Sequence, residues 1–462
     1  MRNDSLALFP ALLLPLLAAC GPFDGDSGAA PDIEISDFSV TMSSDVPTVG
    51  IAEWTSADAS IGRLHIVVDG DERVTPWESE AIASHSNALF GIPAATTFEV
   101  WAEARNGDGG VGLSEPVTME TGGTPPNLPV VSATLAVDDL GGFMILPLIG
   151  ADLTTMNMAT MPGAVVMIDG EGRTVWWSMH VGEQISSAEL SRDGTTVLAL
   201  SHQKLMRIAI DGSISDVATV PDGHHDLAEL PDGTIGVLTY DLYTTDTGAG
   251  WQTTSIHELQ ADGTLVQTWS LADHIDELGI VPGSGPIWSE GDLDHGNALT
   301  YDADADQWLV GVTGIRGILR IDRSSSDTEW WIGQDDLVTL AIDSPSTYTL
   351  HHGFDLLGDS MLLFVNETND SVCARVVELD LDAAAGLASQ VNSYVPSSCQ
   401  SSTMLGQVRR LTPDVVLANF STAATADLLD SGLGLQASFE VGDGMGFGYG
   451  DWLPDLSEPV TR

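Results

Sequence analysis

Short apolar runs of period two, each closed by Gly, Asp or Asn, dominate the chain, and helical periodicity is nearly absent. Residues 48–54, 64–68 and 97–104 alternate as half-buried strands, with Asp69-Gly70-Asp71 and Asn106-Gly107-Asp108-Gly109 as turns. Residues 273–278 and 334–340 are the only helix candidates, and both are short. Beyond Leu128 a loose repeat sets in: a strand runs into an Asp or Gly turn, and the next strand often ends in Trp. Val166-Met167-Ile168-Asp169-Gly170 leads to Val175-Trp176-Trp177, and Arg207-Ile208-Ala209-Ile210-Asp211-Gly212 recurs. Ala261-Asp262-Gly263 leads to Trp269, Arg320-Ile321-Asp322 to Trp330-Trp331, and Val377-Glu378-Leu379-Asp380 is a further copy. A spacing that drifts between about 40 and 60 residues suits four-stranded propeller blades, so the roughly 330 residues left make about six. The expectation is an all-β chain: a six-bladed β-propeller preceded by a smaller β-sandwich. Two packed sandwiches would account less well for the recurring tryptophans.

Charge narrows the partners. The chain has 462 residues, with 15 Lys+Arg against 67 Asp+Glu and a formal charge of −52. Nucleic acid and anionic membrane surfaces are excluded as partners, because phosphate contacts need Lys and Arg. A solvated, self-repelling acidic surface explains the balance. Asp302, Asp304 and Asp306 alternate as calcium ligands do, but the Gly and Glu of an EF-hand loop are missing.

The first residues read as an export signal: Arg2, an apolar stretch from Leu6 to Ala19, then Leu17-Ala18-Ala19-Cys20. Those four residues resemble a bacterial lipobox, which implies lipidation of Cys20, a membrane anchor there, and sorting of the lipoprotein to the outer membrane. No other run is long enough to span a bilayer. The expected order is a signal peptide over 1–19, a flexible linker over 20–31, a sandwich over 32–121 and the propeller over 128–462. Trp54 and the late run from Thr96 to Asn106 resemble a fibronectin type III sandwich, and Gly122-Gly123-Thr124-Pro125-Pro126 ends it. Once Cys20 is set aside, Cys373 and Cys399 are the only thiols, a possible disulfide in an oxidising compartment.

Candidate chemistry lies in three histidine segments: His224-His225-Asp226, Asp294-His295-Gly296-Asn297 and Leu350-His351-His352-Gly353. Each precedes a strand-like run, so equivalent positions on separate blades would face one axis. Imidazoles are the neutral-pH nucleophiles, bases or metal ligands of so cation-poor a chain. A metal site could add Asp226 or Asp294, but no H-x-H or H-x-x-x-H spacing supports one, and Ser-His-Asp hydrolysis lacks its G-x-S-x-G turn. Trp176-Trp177 and Trp330-Trp331 are read first as blade packing and second as walls of an aryl pocket.

The run from His224 to Gly233 resembles the first histidine motif of the bacterial arylsulfate sulfotransferases. His295-Gly296-Asn297-Ala298-Leu299-Thr300-Tyr301-Asp302 resembles their H-x-N-S-x-D-Y-D motif, and Thr349-Leu350-His351 with Leu362-Leu363-Phe364-Val365-Asn366 resembles T-Q-H … L-L-F-D-N. The resemblance covers about 150 to 450. It implies sulfuryl transfer from an aryl sulfate to a phenol through a sulfohistidine on a six-bladed propeller, with no cofactor. On that resemblance His351 is the nucleophile, preferred over the substrate-binding His352 by its register to Phe364 and Asn366. His295 and His225 act beside it, with His224 and Asn297 holding substrate. The family's sulfate-clamping arginine falls at Thr313, and Arg316, three residues on, is the candidate replacement. A non-catalytic propeller that binds a ligand or a protein is the alternative.

Overall fold

The computed structural model describes residues 32–135, 141–150, 163–180, 184–246, 248–280, 291–333, 338–343, 350–367, 373–402, 404–442 and 444–453. The signal segment, Cys20 and the linker to residue 31 lie outside the described residues, as does Thr349. The described chain is strand throughout, apart from single 3-10 turns. One such turn, Leu271–Asp273, stands where the first helix candidate begins; Ser270 caps it, and hydrogen-bonded turns over 274–279 follow without forming a helix. Most of the second candidate lies outside the described residues, and its last residue opens the strand Leu340–Ile342.

The N-terminal part is a sandwich threaded by one long strand. Gly50–Val68 pairs first with Ile35–Met42 and Ile82–Leu89, then crosses over to pair with Asp71–Val74 and Thr97–Arg105. Its alternating burial puts Trp54, Leu64 and Ile66 into one core with Leu89, Phe98 and Val100. This part does not hang free. Val46 and Val49 are buried among Ile145, Met167, Trp176 and Ile208 of the second part, and Ser43 Oγ donates to Asp211 O at 3.0 Å. Gly212, with φ +91°, leaves the room: a Cβ there would lie 2.5 Å from a Val46 methyl. The segment expected to end the sandwich also packs, since the Gly122 amide donates to Pro47 O at 2.9 Å.

The second part is propeller-like: largely antiparallel sheets of five, four, four, nine and five strands follow in sequence order. The first joins Phe143–Gly150, Gly163–Asp169 and Thr174–His180 to the C-terminal strands Met445–Phe447 and Asp451–Leu453. The later units begin with Ile185–Leu190, Leu227–Glu229, Gly296–Asp302, Leu350–Leu357 and Gln407–Thr412, those from Gly296 and Leu350 being joined in the nine-stranded sheet. Val131–Leu135 adds to the outer edge of the last unit. Each end of this part therefore completes the sheet built from the other, which closes the ring and covers edge strands. First strands of neighbouring units lie against one another, so the residues just before them meet at the centre.

The repeat seen in the sequence has two physical causes. Turn carboxylates accept the backbone amide two residues on, as Asp193, Asp211, Asp232, Asp262 and Asp322 do, so much of the acidity is turn chemistry. The tryptophans join units: Trp176 Nε1 donates to Ile210 O at 2.8 Å and Trp269 Nε1 to Thr328 Oγ1 at 2.9 Å. Trp176, Trp177 and Trp331 are buried in outer strands, which makes packing their role.

Candidate functional site

The loops before the third and fourth first strands, with the start of the fifth, bring four histidine rings together. His225 packs edge-on against His224 and His295, each at 5.1 Å between ring centres, and tilted against His352 at 5.7 Å. Tyr240 stacks on His224 at 3.9 Å, and the Tyr449 ring lies 6.4 Å from His225. His225 and His295 both hold left-handed backbone, φ 55° and 52°, a conformation that costs energy outside glycine and recurs at functional sites. His295 is kept so by buried acids. Asp294 accepts from the Thr254 amide at 3.0 Å and from both Thr253 and Thr254 hydroxyls, and Thr254 Oγ1 in turn accepts from Gly296 N at 2.7 Å. Gly296 admits no side chain, since a Cβ would lie 2.4 Å from Thr254.

Two partners fix tautomers. Asp292 Oδ2 lies 2.6 Å from His295 Nδ1, and its Oδ1 accepts from the His295 amide at 3.1 Å. Asn366 Oδ1 lies 2.6 Å from His352 Nδ1. Both acceptors require Nδ1–H, which leaves Nε2 of each ring with a lone pair. Burial lowers His224 to about 3 and His352 to about 3, and it holds His225 well below its usual value. These three rings are therefore neutral near pH 7, competent as nucleophiles and bases.

His351 does not join them. Successive strand residues face opposite ways, and its ring turns to the Gly317 backbone, with burial lowering it to about 4. Its carbonyl accepts from Asn297 Nδ2 at 2.7 Å and from Thr313 Oγ1. The strand slips register between His351 and Phe354, and it is the His352 ring that lies against the other histidines.

The arylsulfotransferase (ASST) profile matches residues 147–352, which span all five of these histidines. Residues 147–352, a little under half of the chain, are thus similar to that family. No curated protein matches the chain. Among solved structures it is similar to a chain of a nidogen/laminin complex, at 9% identity and TM-score 0.44 over 68% of this chain and 98% of that one. It is also similar to TolB from Acinetobacter baumannii, at 10% identity and TM-score 0.42 over 79% and 81%. A putative 6-phosphogluconolactonase from Bacteroides uniformis follows, at 14% identity and TM-score 0.41 over 67% and 99%.

Within residues 147–352, several expected roles shift. Arg316 is exposed on a left-handed residue that ends the turn Thr313–Ile315, and no described residue receives a hydrogen bond from its guanidinium. Thr313 and Asn297, expected to hold substrate, are fully buried ties between two first strands. Asp226 is likewise committed: it accepts from the Leu227 and Leu299 amides, and burial raises it to about 7. Among the described residues no group of three or more His, Cys, Asp or Glu is placed to hold a metal. Cys373 and Cys399 form a disulfide, with Cα atoms 4.9 Å apart, outside that range.

The sequence reading missed Asp292, Tyr240 and Tyr449 and gave Asn366 no role. Asp292 carried a signal, an acid three residues before a histidine. Tyr449 carried a weaker one, in Gly446-Phe447-Gly448-Tyr449-Gly450. Tyr240 carried none.

Proposed function

We propose that the chain is a nucleotide-independent sulfotransferase on a six-bladed β-propeller, carried on a fibronectin type III-like sandwich and exported as an outer-membrane lipoprotein through Cys20. The sandwich reading is supported by a long strand that pairs with neighbours along both of its halves, and the blades by the succession of antiparallel sheets. His352 is the nucleophile. The observation that carries this is the Asn366 contact, which leaves Nε2 of His352 bare in a group of neutral rings within the segment similar to the arylsulfotransferases. Nε2 forms a bond to sulfur as the sulfur–oxygen bond to the aryl group breaks, and the electron pair leaves on the phenolate. A phenol oxygen then attacks that sulfur, the nitrogen–sulfur bond breaks back onto Nε2, and the acceptor proton passes to a neighbouring imidazole. The His224–His225 pair, joined Nδ1 to Nδ1 at 2.9 Å, keeps one Nε2–H, which meets a sulfate oxygen in place of an arginine.

The test is a chromogenic aryl sulfate with and without a phenol acceptor. Wild type should release one equivalent of phenol rapidly and turn over only with acceptor. His352→Ala should lose both, and His351→Ala should keep the burst. No phenol release by wild type across varied acceptors would sink the reading. The exposed Arg316 favours a second reading, a non-catalytic propeller that binds such anions; calorimetric binding of the aryl sulfate without any phenol release would select it.

A further inference from the structure

We infer that Asp292 is a positioning residue that fixes His295 as the base for the acceptor phenol, so that the two half-reactions use different histidines. This rests on the sulfotransferase reading above. Asp292 itself is anchored across a strand: Gln252 N donates to Gly291 O at 2.5 Å, Leu293 N donates to Gln252 O at 2.8 Å, and Asp292 bridges Gln252. From there its carboxylate takes both the amide and Nδ1 of His295. A carboxylate only accepts, so Nδ1 carries a proton toward Asp292, and Nε2 is the ring nitrogen that is left to meet the acceptor.

His295 is, with His225, one of the two more open members of the group. Its side chain keeps 22% of its exposure, whereas His224, His351 and His352 are buried. The groups facing it are Asp292, His225 and Tyr240, whose hydroxyl lies 3.4 Å from Nδ1. None of these is placed to orient His352, which Asn366 holds. In the second half-reaction the acceptor O–H bond breaks to His295 Nε2 as the new oxygen–sulfur bond forms and the nitrogen–sulfur bond to His352 opens. The proton then leaves to solvent or to the departed phenolate, which closes the cycle without a further reactant.

A merely structural acid would tolerate amide replacement. Asp292→Asn keeps the shape, but its Nδ2 can donate to Nδ1, which moves the ring proton to Nε2 and blocks the base. The expected result is an unchanged phenol burst with acceptor-dependent turnover lowered by at least about 10-fold, within the roughly 10²–10⁴ that a positioned base supplies. The loss should be larger for weakly acidic phenols than for nitro-substituted ones, since acidic acceptors need less help. Equal loss of burst and turnover, or no loss of either, overturns the inference. Nitrogen-labelled histidine spectra keep the two proposals apart. His295 should be the Nδ1–H form in wild type and the Nε2–H form in Asp292→Asn. If wild type gives no burst, the function fails, and these spectra still decide the positioning: an unchanged tautomer refutes it.

Discussion

Asn366 Oδ1 meets His352 Nδ1 at 2.6 Å, and the Asn366 amide nitrogen is spent on the carbonyls of Ser402 and Leu405, at 2.8 and 2.6 Å. The amide therefore cannot flip without setting its nitrogen against His352 and its oxygen against two carbonyls. Asn366→Asp replaces a neutral acceptor with a charged one, which favours imidazolium. An adjacent opposite charge moves a pKa by about 1–3 units, so the acid limb of the phenol burst should move toward neutral pH by that amount. Stopped-flow burst rates against pH measure it. The variant also loses the donors to Ser402 and Leu405 and should be less stable by about 1–3 kcal/mol.

Wild-type chemistry should resist acid. Burial lowers His352 to about 3, below the ordinary imidazole range, so the neutral, nucleophilic form persists as pH falls. The burst rate should stay level from about pH 7 to about pH 5, where an exposed imidazole of pKa near 6.5 would already have lost most of its neutral form. The sign for stability is the opposite. Unfolded histidines take up protons near 6.5 that the folded ones refuse, so stability is full above that pH and drains as pH falls toward 3. A burst that halves at pH 6.5 would show His352 to be exposed.

Much of this was legible in the chain. Alternating runs and Asp turns are local, so they name strands wherever they occur. The three histidine segments could be ordered because each lies before a first strand. What escaped was parity and distance. His351 and His352 are neighbours, and only the register slip before Phe354 decides which faces the other rings. Counting from His295 reached the right strand end at Thr313, yet a left-handed Arg316 sends its side chain to solvent. Closure by residues 445–453 is a long-range pairing that no local pattern announces.

Arg316→Ala should leave sulfuryl transfer intact. An exposed side chain without a partner contributes within about 0.5 kcal/mol, so kcat/KM should change by less than about twofold. A loss of an order of magnitude or more would mean that the loop folds over the histidines during turnover.

Thr313→Val tests the tie that replaced the expected clamp. The hydroxyl donates to the His351 carbonyl and accepts from Asn297 Nδ2, all in the interior. The isosteric methyl removes both bonds and leaves a donor unpaired, at a cost of about 1–3 kcal/mol. Thermal unfolding should report that loss while the burst amplitude stays at one equivalent per folded chain. Lost amplitude at full folding would return Thr313 to the substrate.

Val46 carries the last prediction. It sits in the sandwich part but belongs to the core of the first two propeller-like units, against Met167, Trp176 and Ile208. If this contact couples the two parts, they unfold as one. Val46→Asp would bury an unpaired carboxylate there, a cost of several kcal/mol, and Val46→Ala would leave only a small cavity. Scanning calorimetry of wild type and the alanine variant should show a single transition. The aspartate variant should split it into two, because the loop can leave the interface while the Trp54 core remains intact. Two transitions already present in wild type would mean that Val46 adds packing without coupling, and the sandwich would then act only as a spacer.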